Sequence, residues 1–502
     1  MIARNAIVLL LDSLNRHMVG AYGGREFATP NIDRLAKRSV RFTSHYAASL
    51  PCMPARHDIL CGAWDFLWRP WGSVEIWEDA ITYPLKKAGV VSQLISDHPH
   101  LFETGGENYH VDFTAWDYQR GHEGDAWKTK ADPSWAGAPH IGFQRHMPYD
   151  KSRGYFRGEA DFPGRAPCRR RRTGSATMPA RMTASSCSST SSIRTSRSTH
   201  RTITSSVTIR LGRPPLIWPP YGVGLVKRGV MSAREGAQIR SRYGAKLTMI
   251  DHWLGKVLDR IDEKNLWDDT VVVLCTDHGH YLGEKDVWGK PGVPICETLG
   301  HIPFVIAAPG VAPGTCEALT TSVDIFATLA ELFGVTEQVR QRTHGRSLLP
   351  LLSGETKAVR EWLLAGVWGR EVHLIDGRRK YARAPAGANR PLGAWSNRWS
   401  TMPTHFLNRE QEMPLPDERA RLDRMPGSKV PVIRQTWDES DAVPFWAAAR
   451  FSGNHLYDLR EDPGEENNLA GSGLEKDMAA MLREAMKSID APEEQFARLG
   501  LT

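Results

Sequence analysis

Two aliphatic runs that each stop at an aspartate constrain the fold of this 502-residue chain most. The first is Ala6-Ile7-Val8-Leu9-Leu10-Leu11, followed by Asp12-Ser13. The second is Thr270-Val271-Val272-Val273-Leu274-Cys275, followed by Thr276-Asp277-His278-Gly279. A strand apolar at successive positions is buried on both faces, as parallel strands are inside a helix-covered sheet. In open α/β sheets ligands collect beyond the carboxyl ends of the strands, where Asp12, Asp277 and His278 fall. Oxygen and imidazole donors from separate strand ends suit a divalent cation. Either aspartate taken alone serves equally well as a cap for the next helix.

A third element adds chemistry. Cys52-Met53-Pro54-Ala55-Arg56 has the form C-x-P-x-R, a thiol beside a proline-stiffened turn with a guanidinium four residues on. Alone it reads as a small buried core residue, because free cysteine usually is one. Three more segments accompany it: Thr29-Pro30-Asn31-Ile32-Asp33-Arg34-Leu35-Ala36, His344-Gly345-Arg346-Ser347-Leu348-Leu349-Pro350-Leu351-Leu352, and Leu456-Tyr457-Asp458-Leu459 with Asp462-Pro463-Gly464-Glu465 and Asn467-Asn468-Leu469. Together and in this order they resemble the type I sulfatases of the alkaline phosphatase superfamily. That resemblance implies an α/β fold: a mostly parallel central sheet covered by helices, with a smaller C-terminal α+β subdomain. It divides the chain into a catalytic domain over 1–370 and a subdomain over 371–502. It also implies that Cys52 is oxidised to formylglycine by a maturation enzyme.

The resemblance assigns further residues. Asp12, Cys52, Asp277 and His278 become the ligands of one divalent cation, Ca²⁺ first, with Mn²⁺ or Mg²⁺ as alternatives. Arg56 and Lys290, the latter in Trp288-Gly289-Lys290, become cations that contact the transferred anion. Ser96-Asp97-His98-Pro99-His100 lies where many sulfatases have G-K-W-H; His98 and His100 keep the spacing, with His in place of Lys. On an extended segment alternate residues share a face, so both imidazoles would approach one anion, one of them as general acid. Tyr109, His110 and His301 are further candidates for the pocket lining. Ser13 and His278 depart from the usual Asp and Asn and look more like the phosphonate monoester hydrolase branch. The activity implied is hydrolysis of a sulfate ester, a small molecule or a sulfated carbohydrate. The alternative is a phosphonate monoester or phosphodiester.

Charge excludes a class. The formal net charge is +7, but residues 165–213 hold 11 arginines and no acidic residue; removing them turns +7 into −4. The positive charge is therefore local, and no nucleic-acid partner is expected. Apolar runs fall short of the ~20 residues of a membrane span. The N-terminal run leads straight to Asp12 without a cleavage site, so a cytoplasmic protein is expected. Seven irregularly spaced cysteines give no disulfide framework.

Residues 164–213 break the pattern of the chain. Arg169–Arg172 is followed by a Ser/Thr-rich run without hydrophobic periodicity, which reads as a disordered basic insertion. The genetic code gives a sharper reading. Ser192-Ile193-Arg194-Thr195-Ser196-Arg197-Ser198 can be encoded so that a shifted frame yields Asp-Pro-His-Glu-Pro-Phe. Thr183–Ser191 shifts likewise to Gly-Phe-Phe-Leu-Gln-Leu-Asp-Phe-Phe, a buried strand. Sulfatase-like proteins carry D-P-H-x-P-F at a strand end here. We expect a pair of compensating frameshifts, with Thr195 standing where the family has a histidine.

Overall fold

The computed structural model describes residues 3–122, 125, 127–128, 155, 161, 181–188, 220–401, 415–441, 443, 447 and 452–502. Thr195 and most of 164–213 lie outside the described residues. Among the described residues an eight-stranded sheet forms the centre. Its order is Gly314–Cys316, Val40–Phe42, Phe304–Ala307, Thr270–Cys275, Asn5–Asp12, Arg181–Ser188, Val91–Ser96 and Ala115–Tyr118. Pairing is parallel except where Phe304–Ala307 meets its two neighbours. The mostly parallel sheet expected from the aliphatic runs is therefore present.

The two aspartate-ended strands are neighbours, with Asn5 opposite Thr270 and Leu10 opposite Cys275. Alternate side chains leave opposite faces of a strand, and here each face meets its own core. Ala6, Val8, Leu10, Val271 and Val273 point into one; Ile7, Leu9, Leu11, Val272 and Leu274 point into the other. The long helix Ala233–Glu263 seals the second core with Ile239, Tyr243, Leu247, Ile250, Leu254, Val257, Leu258 and Ile261. Its start is fixed by Ser232 and Glu235, which cap each other's backbone N–H groups. The first core is covered by the helices Cys52–Cys61 and Val323–Leu332. Gly62 ends the former in a left-handed conformation (φ 73°), with Phe326 so close that a Cβ would lie 2.7 Å from its ring.

A smaller sheet runs His455–Asp458, Arg379–Arg383, Val372–Ile375, Leu363–Val367 and Ser49–Leu50. The boundary expected at 370/371 falls inside its hairpin, between Leu363–Val367 and Val372–Ile375, whose ladder hydrogen bonds keep both strands together. The parallel pairing of Ser49–Leu50 with Gly366 and Val367 joins this sheet to the start of the Cys52 helix. The tryptophans Trp64, Trp68, Trp71 and Trp77 are all buried in the first core, so they pack rather than offer faces to a sugar ring. Among the described residues no helix is long and apolar enough to cross a membrane.

Among the described residues of the anomalous segment is the strand Arg181–Ser188, and its position is informative. Arg181–Ser188 pairs in parallel with Asn5–Asp12 on one side and Val91–Ser96 on the other, setting Ser188 opposite Asp12 and Ser186 opposite Ser96. A central strand is thus required where the sequence reads Arg-Met-Thr-Ala-Ser-Ser-Cys-Ser. Apolar residues at such positions contribute about 1.5–3 kcal/mol each when buried. Replacing Thr183–Ser191 by the shifted-frame sequence should therefore raise the melting temperature and soluble yield. Equal stability of the two chains, or coding DNA that contains no second frame of this kind, would remove the frameshift expectation.

Candidate functional site

The sheet delivers the Asp12 and Asp277 carboxyls to one spot, and the Cys52 helix brings Arg56 between them. A helix places residues four apart on one face, so Cys52 and Arg56 approach the strand ends together. Arg56 Nη2 donates to Asp12 Oδ2 at 2.6 Å, Nη1 donates to Asp277 Oδ2 at 2.7 Å, and Nη1 also reaches the Cys52 carbonyl at 3.1 Å. All three side chains are buried. Ser13, with φ 60°, donates its N–H to Asp277 Oδ1 at 2.9 Å and its hydroxyl to Asp12 Oδ1 at 2.7 Å. The residue that departs from the expected second aspartate thus orients both carboxylates.

His278 follows directly. Its Nδ1–H donates to the Gly279 carbonyl at 2.8 Å, which fixes the tautomer and leaves the Nε2 lone pair for the site. A Cβ at Gly279 would lie 2.0 Å from the Thr298 carbonyl oxygen, so only glycine permits this tight passage. His278 Nε2 stands 3.3 Å from Cys52 Sγ and 3.3 Å from Asp277 Oδ2. Lys290 Nζ donates to Cys52 Sγ at 2.9 Å and lies 3.4 Å from His278 Nε2.

Burial sets the electrostatics. It would raise the Asp12 carboxyl, but Arg56 and Lys290 hold it well below the usual carboxylate range. Burial pushes the Cys52 thiol up to about 12 against the pull of Lys290, with Asp12 and Asp277 adding to the rise. Burial opposes the Lys290 ammonium, yet Cys52, Tyr221, Asp12 and Asp277 raise it well above its ordinary value. Burial lowers the pKa of His278 in spite of Asp277.

Single donor atoms of Cys52, Asp277 and His278 lie within 4.8 Å of one another. With a free imidazole lone pair and a carboxylate, this set fits a divalent cation. Asp12 stands beside the group, tied to it through Arg56.

The other expected residues divide. His98 and His100 do not sit on an extended segment: Pro99 starts a 3-10 turn over Pro99–Phe102, with His98 as its cap. The turn still brings the two rings edge to face at 5.0 Å. His98 Nδ1 is 3.8 Å from Asp12 Oδ2, and both its ring nitrogens are buried without a hydrogen bond among the described residues. Burial, then Arg56, lowers its pKa well below the ordinary value. His100 instead donates Nδ1–H to the Glu103 carboxylate. Tyr109 is structural, since its hydroxyl donates to the Met53 and Gly72 carbonyls. His110 bonds the Leu101 carbonyl, and His301 pairs with Glu297 while stacking on Tyr46.

Three neighbours had no part in the sequence reading. His280, two residues after His278, is buried, and burial with nearby Lys290 brings its pKa down to about 3. The Tyr221 ring lies 5.9 Å from Lys290 Nζ. His122 is a buried imidazole whose electrostatic neighbours include Lys246, Asp12 and Arg56. The spacing of His280 carried a signal; Tyr221, just beyond the anomalous segment, carried none.

The sulfatase family profile matches residues 4–102 and 93–335. A choline-sulfatase of Rhizobium meliloti (strain 1021) is 26% identical over 403 residues, covering 75% of this chain and 77% of that protein. The crystal structure of a phosphonate monoester hydrolase of Agrobacterium radiobacter aligns with a TM-score of 0.59 at 17% identity, over 97% of this chain and 95% of that one. A protein solved with its substrate D-glucosamine-2-N,6-O-disulfate aligns with a TM-score of 0.62 at 15% identity, over 98% and 99%. The profile match spans well over half the chain, and the fold agrees with that of these solved structures: the protein belongs to the sulfatase family and is a sulfuric ester hydrolase.

Proposed function

We propose that this enzyme cleaves sulfate esters with formylglycine at position 52, beside one divalent cation held by Asp12, Asp277, His278 and residue 52. The observation that carries this reading is the convergence of Lys290 Nζ and His278 Nε2 on Cys52 Sγ, next to two carboxylates bridged by Arg56. A thiol whose pKa is about 12 is protonated at neutral pH and is a weak nucleophile. Conversion to the aldehyde by the maturation enzyme, with dioxygen as oxidant and loss of the thiol sulfur, followed by hydration, would give two hydroxyls at the same place. One would attack sulfur as the ester alcohol leaves, and loss of the other's proton would then expel sulfate and restore the aldehyde, a release that a thiol cannot perform. The C-x-P-x-R string is the feature that a maturation enzyme would act on.

Lys290 and Arg56 place fixed positive charge where the transferred group gains negative charge, and they do so in a buried, preorganised setting. Lys290 stays charged there because carboxylates offset its burial. When bound, the cation acts as a Lewis acid, Ca²⁺ being first choice and Mn²⁺ or Mg²⁺ the alternatives. His278 keeps its lone pair aimed at the site through the Gly279 carbonyl. His100, oriented by Glu103, is better suited than His98 to hand a proton to the departing alcohol. The substrate class is a small-molecule or carbohydrate sulfate ester, in line with the disulfated glucosamine bound by the similar structure.

A second reading, phosphonate monoester or phosphodiester hydrolysis, is favoured by His278 as imidazole donor and by Ser13 in place of a further carboxylate. Side-by-side turnover decides between them. The expected order of kcat/KM is aryl sulfate above phosphonate monoester and phosphodiester; the reverse order selects the second reading.

Cys52→Ala should abolish turnover while leaving the melting temperature nearly unchanged, and intact mass of the parent protein should show the thiol converted to aldehyde. Substantial turnover by the alanine variant contradicts the formylglycine reading. Asp277→Ala should lose metal and activity together, with excess cation restoring only part of the rate. Metal content unchanged by mass spectrometry would take Asp277 off the ligand set.

A further inference from the structure

The helix that carries Cys52 and Arg56 holds a second group of donors toward its other end. His57 and Cys61 are four residues apart and so share a helix face. Glu78 brings Oε2 to 2.8 Å from His57 Nε2, and Asp65 brings Oδ2 to 3.5 Å from the same nitrogen. Single donor atoms of His57, Cys61 and Glu78 lie within 4.8 Å of one another. Every one of these side chains is buried, and the Cys61 thiol interacts directly with the His57 ring. A small cavity adjoins the group, lined by His57, Asp65, Arg69, Ser49 and Tyr109 among others.

Charge sharpens the case. Arg69 is ringed by Asp65 at 2.9 Å, Glu75 at 3.3 Å and Glu78 at 2.9 Å, three carboxylates to one guanidinium. Burying unpaired charge is costly, so the surplus needs positive charge. Without a metal, a proton on His57 meets part of that need. A divalent cation meets it equally: it takes the place of the His57 proton and the Cys61 thiol proton. Two protons leave and two positive charges enter, so the net charge of the group does not change.

We propose that His57, Cys61, Glu78 and Asp65 form a second, structural metal site that takes a zinc-class cation and is separate from the centre at Cys52. A thiolate, an imidazole and two carboxylates make a four-donor set of the kind zinc adopts in closed structural sites. The thiolate also sets it apart from the oxygen-rich set at the strand ends, which favours harder cations. The site would pin the Cys52–Cys61 helix to the segment after it. Through Arg69 and Glu75 the tie continues to the C-terminal strand Leu392–Ser396, since the Ser396 hydroxyl donates to Glu75 and the Asn397 N–H donates to it at 2.9 Å.

Metal content and X-ray absorption of the full-length protein, produced with zinc in the medium, test this. The expected result is about one zinc per chain that survives in Asp277→Ala and in Cys52→Ala and is lost in Cys61→Ser. The zinc-edge spectrum of Cys52→Ala should show one sulfur at about 2.3 Å with nitrogen and oxygen neighbours. Because that variant keeps His57 and Cys61, the measurement stands even if Cys61→Ser fails to fold. Three results overturn the proposal: parent protein without zinc, zinc lost in Asp277→Ala or Cys52→Ala but kept in Cys61→Ser, or a zinc shell without sulfur. In the first case the group is a pure charge network with His57 protonated.

Discussion

The clamp of Arg56 on Asp12 and Asp277 is the interaction on which the site depends. Three elements remote in sequence meet in it: the end of the first strand, the end of Thr270–Cys275, and the first turns of the Cys52 helix. With all three side chains buried, each charge is viable only in the company of the others. Removing one partner of such a group leaves an uncompensated buried charge and costs about 3–5 kcal/mol. The clamp therefore fixes where the helix begins, and with it residue 52, to within the reach of a hydrogen bond. A planar guanidinium does this by turning one Nη group to each carboxylate, a fixed spread that an ammonium cannot imitate.

The rest of the fold follows from the need to hold two carboxylates at adjacent strand ends. Parallel strands align their carboxyl ends on one edge of the sheet, and a parallel sheet needs cover on both faces. That is why the two cores exist and why each aliphatic strand supplies both. The small sheet is not a passive appendage, because Ser49–Leu50 belongs to it and leads directly into Cys52. Residue 52 is thus braced from three sides: the Arg56 clamp, the small sheet before it, and the His57–Arg69 network behind it.

Legibility in the sequence tracks how local the physical cause is. Strands apolar at successive positions announce burial by themselves, so the sheet and its acidic ends were readable from Ile7–Asp12 and Val271–Asp277. The Cys52–Arg56 spacing was readable because four residues make one helical turn. The geometry of His98 and His100 was not: Pro99 bends the chain into a turn that no periodicity encodes, and only the tertiary setting puts His98 near Asp12. Nor did sequence show that Tyr109 and His301 are tied up in structural bonds, since their partners lie elsewhere in the chain. The His57 cluster went unread for the same reason: His57 and Cys61 are local to each other, but Asp65, Glu75 and Glu78 acquire meaning only once Arg69 gathers them.

The strand Arg181–Ser188 is the reverse case, where position contradicts sequence. Its neighbours on both sides are largely buried strands of the central sheet, and in such sheets the middle strands are ordinarily the most apolar. Topology alone demands a strand there, because without it Val91–Ser96 has no partner through which to join Asn5–Asp12, and the turn carrying His98 and His100 loses its anchor beside Asp12. A polar sequence in that slot places the cost on the strands flanking the active site. Stability and activity are therefore coupled through one segment: whatever weakens the middle of the sheet also loosens the strand ends that hold the Arg56 clamp in place.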